Sequence, residues 1–410
     1  MHKAIDSCRV CGSTELTRIL DLGEQALTGV FPRHPDEDVG RGPLRLMKCH
    51  GPGTCGLVQL EHTFSLEAMY GSNYGYRSGL NASMVRHLHS KVAAILDRFD
   101  VPEGSIVLDI GSNDGTTLAA FPASCERIGI DPTAAKFLDF YEPGISAIPE
   151  FFSEEVFRAN AGDRHASIVT SFAMFYDLED PMAFMGDIRS ILAPDGLWVS
   201  EQSYLPLMVE RNAYDTVCHE HIEYYSLSQF KWMADRVGFK IVDIEFNDVN
   251  GGSFSVVAAR ADSDYDETPV LNETIAREEQ AGYGELDVYA AFAERVEQSR
   301  SDLLSLIEKA RRSHQTVAAL GASTKGNVLL QYCGLTSRDI LGVGEINEDK
   351  YGAFTPGSHI PIMPEEEILD LEPDYLLVLP WHFRATFRSK QTKGRSRLVF
   401  PLPELEVLDG

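Results

Sequence analysis

Twelve consecutive residues, Tyr214-Asp215-Thr216-Val217-Cys218-His219-Glu220-His221-Ile222-Glu223-Tyr224-Tyr225, hold two histidines, three acids and three tyrosines. Ordinary cores do not gather titratable side chains this densely. Imidazole titrates nearest neutrality, so a histidine here can take or return a proton at physiological pH. An adjacent carboxylate such as Glu220 can orient the ring and stabilise its charged form. Alternation along the chain can point either His219 or His221 inward, so both are candidate bases. Two blander readings compete. A His-x-His pair with a glutamate can bind a metal, although no third ligand is evident nearby, and a solvated surface turn can also look like this.

Four of the seven cysteines form a second constellation. Cys8 and Cys11 make a C-x2-C knuckle, and Cys49 and Cys55 make a looser C-x5-C pair around His50. Four thiolates satisfy tetrahedral zinc, and a segment this short has little core of its own to hold it together. With no open position, the metal would be structural. His50 is an alternative fourth ligand, and four cysteines packed as small apolar residues is the bland reading. Cys125, Cys218 and Cys333 lie far apart and read as core residues.

The third constellation is a glycine loop, Asp109-Ile110-Gly111-Ser112-Asn113-Asp114-Gly115, placed where an apolar strand should turn into a helix. Glycines there let the backbone approach a nucleotide closely, at the strand end where such sheets bind ligands. The spacing D-x-G-x-N-x-G lacks the third glycine of the dinucleotide fingerprint G-x-G-x-x-G, so a cofactor without a pyrophosphate fits better. Asp131 ends the next strand and can accept hydrogen bonds from ribose hydroxyls, which suits several adenosine cofactors equally. Phe151 and Phe152 lie near the expected end of the third strand, where they could bracket an adenine ring or simply pack.

These residues need a scaffold. SIVLDIG, ERIGI, ASIVTSFAM, GLWVSEQSY, FKIVDIEF and SFSVVAARA read as strands, and helical patterns between most of them imply parallel βαβ units. The last two, joined by NDVNGG, read as a terminal antiparallel hairpin. The loop and the hairpin together resemble the class I methyltransferase version of the fold, which makes S-adenosylmethionine the expected cofactor. The predicted class is therefore α/β, with a zinc-binding domain over residues 1–70, a Rossmann-like methyltransferase sheet over 71–265 and a C-terminal Rossmann-like α/β domain over 266–410. In that last part the strand VAALG runs into Gly321-Ala322-Ser323-Thr324-Lys325-Gly326-Asn327, a glycine loop before a helix. Lys325, with Asn327 beside it, and the free amides of the helix start can hold a phosphate. Glu345, Asn347, Lys350, Trp381 and His382 fall near the same sheet edge. Tyr70, Tyr74, Tyr76 and Arg77 form a polar-aromatic link between the first two domains, placed to fold over the cofactor.

The 410 residues carry 62 acidic and 36 basic side chains, a net charge of -26. Such a chain repels nucleic acid and is not drawn to an anionic membrane. No export signal or membrane-spanning run is evident, so a cytoplasmic location with reduced cysteines is expected. Nothing in the sequence specifies the oligomeric state.

The ordered motifs resemble those of the bacterial sugar C-methyltransferases of deoxysugar biosynthesis. They are the C-x2-C start, DLGEQAL, YGYRSGLNASM, VLDIGSNDGTTL, YDTVCHEHIEYYS, NGGSF and LGASTKGNVLLQY. The resemblance implies methylation of a nucleotide-diphosphate-linked 4-keto-6-deoxysugar at carbon 3. It makes His221 the base that removes the C3 proton and places Glu220 and Tyr76 near the sugar. Tyr74, Arg77 and Tyr176 are further expected substrate contacts. Two positions depart from the pattern. Cys218 stands where those enzymes carry a tyrosine, and Ser171–Asp177 lacks an expected asparagine and histidine. Both changes fall around the acceptor. O-methylation of a sugar with the same cofactor is the closest alternative; an NAD-dependent sugar-modifying enzyme and a non-catalytic zinc-bearing binding protein are more remote.

Overall fold

The computed structural model describes residues 2–64, 76–389 and 396–408; Tyr70 and Tyr74 lie outside them. The first 64 residues form β1 (His2–Ala4), β2 (Leu16–Ala26), β3 (Arg41–Cys49), β4 (Val58–Leu60) and β5 (His62–Phe64). β2, β3 and β4 make an antiparallel meander, and β1 pairs with β5. Leu20, Leu22, Leu44, Leu46, Val58 and Leu60 are buried, so each short strand contributes an apolar side to a small core.

The middle of the chain supplies β6 (Ile106–Ile110), β7 (Glu126–Ile130), β8 (Ile145–Ile148), β9 (Ala166–Phe172) and β10 (Leu192–Ser203). After a two-residue strand, β11 (Glu223–Tyr224), come β12 (Phe239–Asn247) and β13 (Ser253–Arg260). Seven of these strands form one sheet in the order β12-β13-β10-β9-β6-β7-β8. β13 runs antiparallel to both neighbours, and the β6–β10 pairings are parallel. This is the class I methyltransferase arrangement. Every residue of β6 is buried, as expected of a central parallel strand covered by helices on both faces. The covering helices begin at strong caps. Asn81 accepts from the Ser83 amide ahead of helix Ala82–Arg98, and Ser226 with Gln229 forms a capping box ahead of Leu227–Val237. The latter helix ends at Gly238 with φ 91°, a left-handed stop that glycine takes without strain. Phe175, Trp198, Phe230 and Phe239 are fully buried on one face of the sheet and pack ring against ring.

The last part begins with helices Val270–Gln280 and Asp287–Arg312. Six strands follow: β14 (Val317–Leu320), β15 (Val343–Glu345), β16 (Ile362–Pro364), β17 (Tyr375–Val378), β18 (Arg397–Phe400) and β19 (Glu406–Leu408). They form a second sheet, ordered β16-β15-β14-β17-β18-β19 and parallel except for β19.

The three parts are not separate beads. β11, from the histidine-rich segment, adds to the N-terminal meander by pairing with β4, with Glu223 opposite Gln59 and Tyr224 opposite Val58. One apolar core runs from Leu20 and Leu60 through Val217, Cys218 and Ile222 to Leu320 and Leu329. Another joins Cys8, Cys49, Cys55 and Leu57 to the methyltransferase strands.

Candidate active site and metal centre

The metal site is built by the turn ahead of β2, which holds Cys8 and Cys11, and by the end of β3 and its connection to β4, which hold Cys49 and Cys55. The Sγ atoms of Cys8, Cys11, Cys49 and Cys55 lie within 4.8 Å of one another, with Cys8–Cys55 and Cys11–Cys49 at 3.5 Å. Tetrahedral zinc with Zn–S bonds near 2.3 Å needs sulfurs about 3.8 Å apart, so the four thiols fit it. His50 faces Glu285 at 3.6 Å, which leaves the four-cysteine set.

The loop after β6 holds its shape through left-handed residues: Gly111, Asn113 and Gly115 have φ of 76°, 51° and 78°. Asp131, buried at the end of β7, fixes the turn. One carboxylate oxygen accepts the Asn113 amide at 2.8 Å, and the other accepts the Thr133 amide and hydroxyl, both at 2.6 Å. A carboxylate offers about four acceptor positions, so Asp131 keeps roughly one for a ribose hydroxyl rather than the full pair expected. Asp109 lies beneath the loop, accepting the Thr170 hydroxyl at 2.6 Å, and burial pushes its carboxyl up to about 7. It supports the turn from inside the sheet. Phe152 packs edge-on against Phe184, whereas Phe151 is 54% exposed. Of the two rings, Phe151 is the more exposed.

The linker is stitched to this loop. The Asn113 side chain donates to the Tyr76 carbonyl and accepts the Ser78 amide, while Asp114 accepts the Gly79 amide. The Tyr76 ring is about half exposed. The Arg77 guanidinium lies over the Phe140 ring at 3.8 Å and lines an open cleft of ≈ 260 Å³ with Asp114, Gly115 and Thr116.

The two histidines have different environments. His219 is fully buried with both ring nitrogens engaged: Nδ1 accepts the Thr28 amide at 3.4 Å and Nε2 faces the Gly42 carbonyl at 3.3 Å. It fastens the segment to the N-terminal domain, and burial lowers it to about 4. The candidacy of His219 as base is therefore corrected; it has no nitrogen to offer a substrate. His221 places Nδ1 3.1 Å from the Thr216 carbonyl. A carbonyl only accepts, so Nδ1 carries the proton and Nε2 keeps its lone pair. Burial, with Lys325 adding, holds this imidazole down to about 3, so it is neutral at physiological pH. The Tyr176 ring meets it edge-on at 4.4 Å.

Glu220 reaches toward Thr28 and Gly29, and burial raises its carboxyl. Its Oε2 is buried with no hydrogen-bond partner among the described residues. The C-terminal domain closes the cluster. The Lys325 ammonium donates to the Asn250 carbonyl at 2.6 Å and faces Asp215, and Trp381 Nε1 donates to Asp215 at 2.8 Å. Asn327 is corrected as a substrate contact. It is fully buried, and its amide donates to the Thr28 carbonyl at 2.8 Å, so it docks the two outer domains together. Thr28 and Gly29, directly after DLGEQAL, and Asn250, the first residue of NGGSF, do not stand out in the sequence because they are ordinary turn residues with no titratable group. The nearest signals were DLGEQAL and NGGSF, read as resemblance without chemistry.

The seven-stranded sheet, its glycine loop and the buried titratable cluster define an S-adenosylmethionine-dependent methyltransferase carrying a zinc-binding domain. Comparison with known proteins agrees: a zinc binding domain matches residues 8–70, a methyltransferase domain 84–244 and a C-methyltransferase C-terminal domain 248–403. The C-methyltransferase NovU of Streptomyces niveus is 31% identical over 414 residues, covering 99% of this chain and 97% of that protein. The chain belongs to this C-methyltransferase family. Among solved structures, the methyltransferase CcbJ of Streptomyces caelestis aligns at 14% identity over 43% of this chain and 89% of its own, with a TM-score of 0.33. The carbon methyltransferase CurJ aligns at 15% identity over 45% of this chain and 57% of its own, with a TM-score of 0.33. No helix among the described residues is long and apolar enough to cross a membrane.

Proposed function

We propose that the protein methylates carbon 3 of a nucleotide-linked 4-keto-6-deoxysugar through an enolate. The observation that carries this reading is the pairing of the His221 tautomer with the unpartnered Glu220 oxygen. A neutral imidazole whose Nδ1 proton is held by Thr216 presents Nε2 as an acceptor, and a buried carboxyl oxygen without a partner suits a hydroxyl- or carbonyl-bearing substrate. S-adenosylmethionine, when bound, supplies an electrophilic methyl group. The chain's own residues do the rest. Asp131 and the Gly111–Gly115 turn hold the adenosine end, Tyr76 and Arg77 border the cofactor side, and Glu220, its carboxyl raised by burial, can hydrogen-bond the ketone. His221 removes the proton beside that ketone, which is acidic because the resulting anion is an enolate. Lys325 offers a cation for a diphosphate, and an anion beside it would offset its depressing influence on His221. Tyr74, outside the described residues, is kept as a substrate contact by the family resemblance alone.

A second reading is sugar O-methylation by the same base and cofactor. It is favoured by Cys218, which is fully buried and offers no hydroxyl where the family pattern has a tyrosine. The protein incubated with methyl-13C-labelled cofactor and nucleoside diphosphate 4-keto-6-deoxyhexoses separates the two. A labelled methyl on a carbon, located by NMR, is the expected result, and a methyl ether would reject the carbon chemistry.

A further inference from the structure

We infer that Arg9, between the first two zinc-ligating cysteines, is a positioning residue for His221. The inference rests on His221 being the base. Arg9 lies in the turn between Cys8 and Cys11 and fastens that turn to β4 and β5. Its backbone amide donates to Gln59 Oε1 at 3.1 Å, Nη1 donates to the same atom at 3.2 Å and to the Leu60 carbonyl at 2.8 Å, and Nη2 donates to Thr63 Oγ1 at 2.8 Å. β4 in turn holds the histidine segment. Gln59 sits opposite Glu223 in the β4–β11 ladder, and the Leu60 amide donates to the Ile222 carbonyl at 2.8 Å. The Ile222 amide donates to the Tyr176 carbonyl at 3.0 Å. The residue that follows His221 is thus gripped on one side by the zinc domain and on the other by the short turn Phe175–Asp177 that follows β9. Three linked sets of bonds lead from the knuckle to the base, each between buried or part-buried groups.

Arginine is required by this geometry. One guanidinium reaches three separate acceptors on β4 and β5 through a rigid planar fork, which a lysine point charge cannot do. Removing it would leave the Leu60 carbonyl and Gln59 amide oxygen short of donors and let β4 shift. A catalytic group displaced by about 1 Å can lose on the order of 10²-fold in rate. The zinc domain is then part of the catalytic apparatus, and the metal's contribution reaches beyond the folding of residues 8–55.

The test compares Arg9→Ala, Arg9→Lys, Gln59→Leu and His221→Asn with the unaltered protein. Zinc content is measured by metal analysis and S-adenosylhomocysteine affinity by calorimetry. Hydrogen exchange is followed in the peptide spanning 218–225, and turnover is measured with a nucleoside diphosphate 4-keto-6-deoxyhexose. Arg9→Ala and Arg9→Lys are expected to keep zinc and cofactor affinity, to speed exchange across 218–225 and to lower kcat at least tenfold with KM little changed. Retained zinc with unaltered exchange and kcat overturns the inference. Should Arg9→Ala lose zinc or fail to fold, Gln59→Leu decides, because it removes two of Arg9's bonds without changing a residue of the Cys8–Cys11 turn. The same exchange and kcat effects support the inference, and their absence overturns it. Normal turnover in His221→Asn would instead reject the assignment of the base, whatever Arg9 does, while the exchange data still report on the clamp.

Discussion

At the scale of single residues, the environment chooses between two histidines that the sequence presents as equals. His219 spends both nitrogens on the N-terminal domain, and His221 spends one and keeps a lone pair. Nothing in the spacing H-x-H encodes that difference, because it depends on Thr28 and Gly42, which lie nearly two hundred positions earlier. Gly29 belongs to the same set of distant determinants. A Cβ there would fall 2.1 Å from Glu220 Oε1, so the glycine makes room for the carboxyl. Gly29→Ala should therefore rotate Glu220 away, because a side-chain tip yields more easily than backbone. The expected outcome is a fall in kcat of about 10²-fold with little change in thermal midpoint. A large loss of stability with normal specific activity would show that Glu220 does not need that space.

At the scale of elements, the strands and the glycine loop were legible because a buried parallel strand is an uninterrupted apolar run and a left-handed turn calls for glycine. The register between parts was not. β11 is two residues long, and no local periodicity announces that Glu223–Tyr224 completes a sheet begun at Leu16. The expected boundary at residue 70 also hides the shared core, which joins Leu60 to Ile222 and Leu320. Asp131 shows the other limit. Its place at a strand end suggested ribose binding, and its hydrogen bonds add a duty to the Asn113 turn. Asp131→Ala should weaken S-adenosylhomocysteine binding by ten- to a hundredfold, roughly 1.4–2.8 kcal/mol at 1.4 kcal/mol per decade. Calorimetry with the folded variant measures this, and unchanged affinity would mean that the adenosine end lies elsewhere.

At the scale of the whole molecule, three parts converge on one cluster. The N-terminal domain brings Thr28 and Gly29, the methyltransferase segment His221 and Glu220, and the C-terminal domain Lys325 and Trp381. That convergence sets a pH signature. His219, His221 and His382 are held by burial to about 4, 3 and 3, below the unfolded value near 6.5. Their contribution is present above about pH 6.5 and is lost as pH falls below it, because the unfolded chain binds more protons. Asp109 and Glu223, raised by burial to about 7 and 8, act in reverse and cost stability as pH rises toward those values. With His62 also lowered and Asp215 and Glu220 also raised by burial, imidazoles and carboxyls nearly cancel below about pH 6.5. Above it, Asp109 and Glu223 lower stability as pH rises to about 8. Thermal midpoints measured from pH 5 to 8.5 check this, and a steady rise to pH 8.5 would contradict the buried, protonated carboxyls. The central claim, that His221 removes a proton from a carbon beside a ketone, is tested most directly without methyl transfer. A nucleoside diphosphate 4-keto-6-deoxyhexose and S-adenosylhomocysteine are incubated with the protein in deuterated water, and the C3 hydrogen is followed by NMR. The account predicts exchange that disappears in His221→Asn while S-adenosylhomocysteine affinity stays within about twofold. Equal exchange in the variant would contradict it.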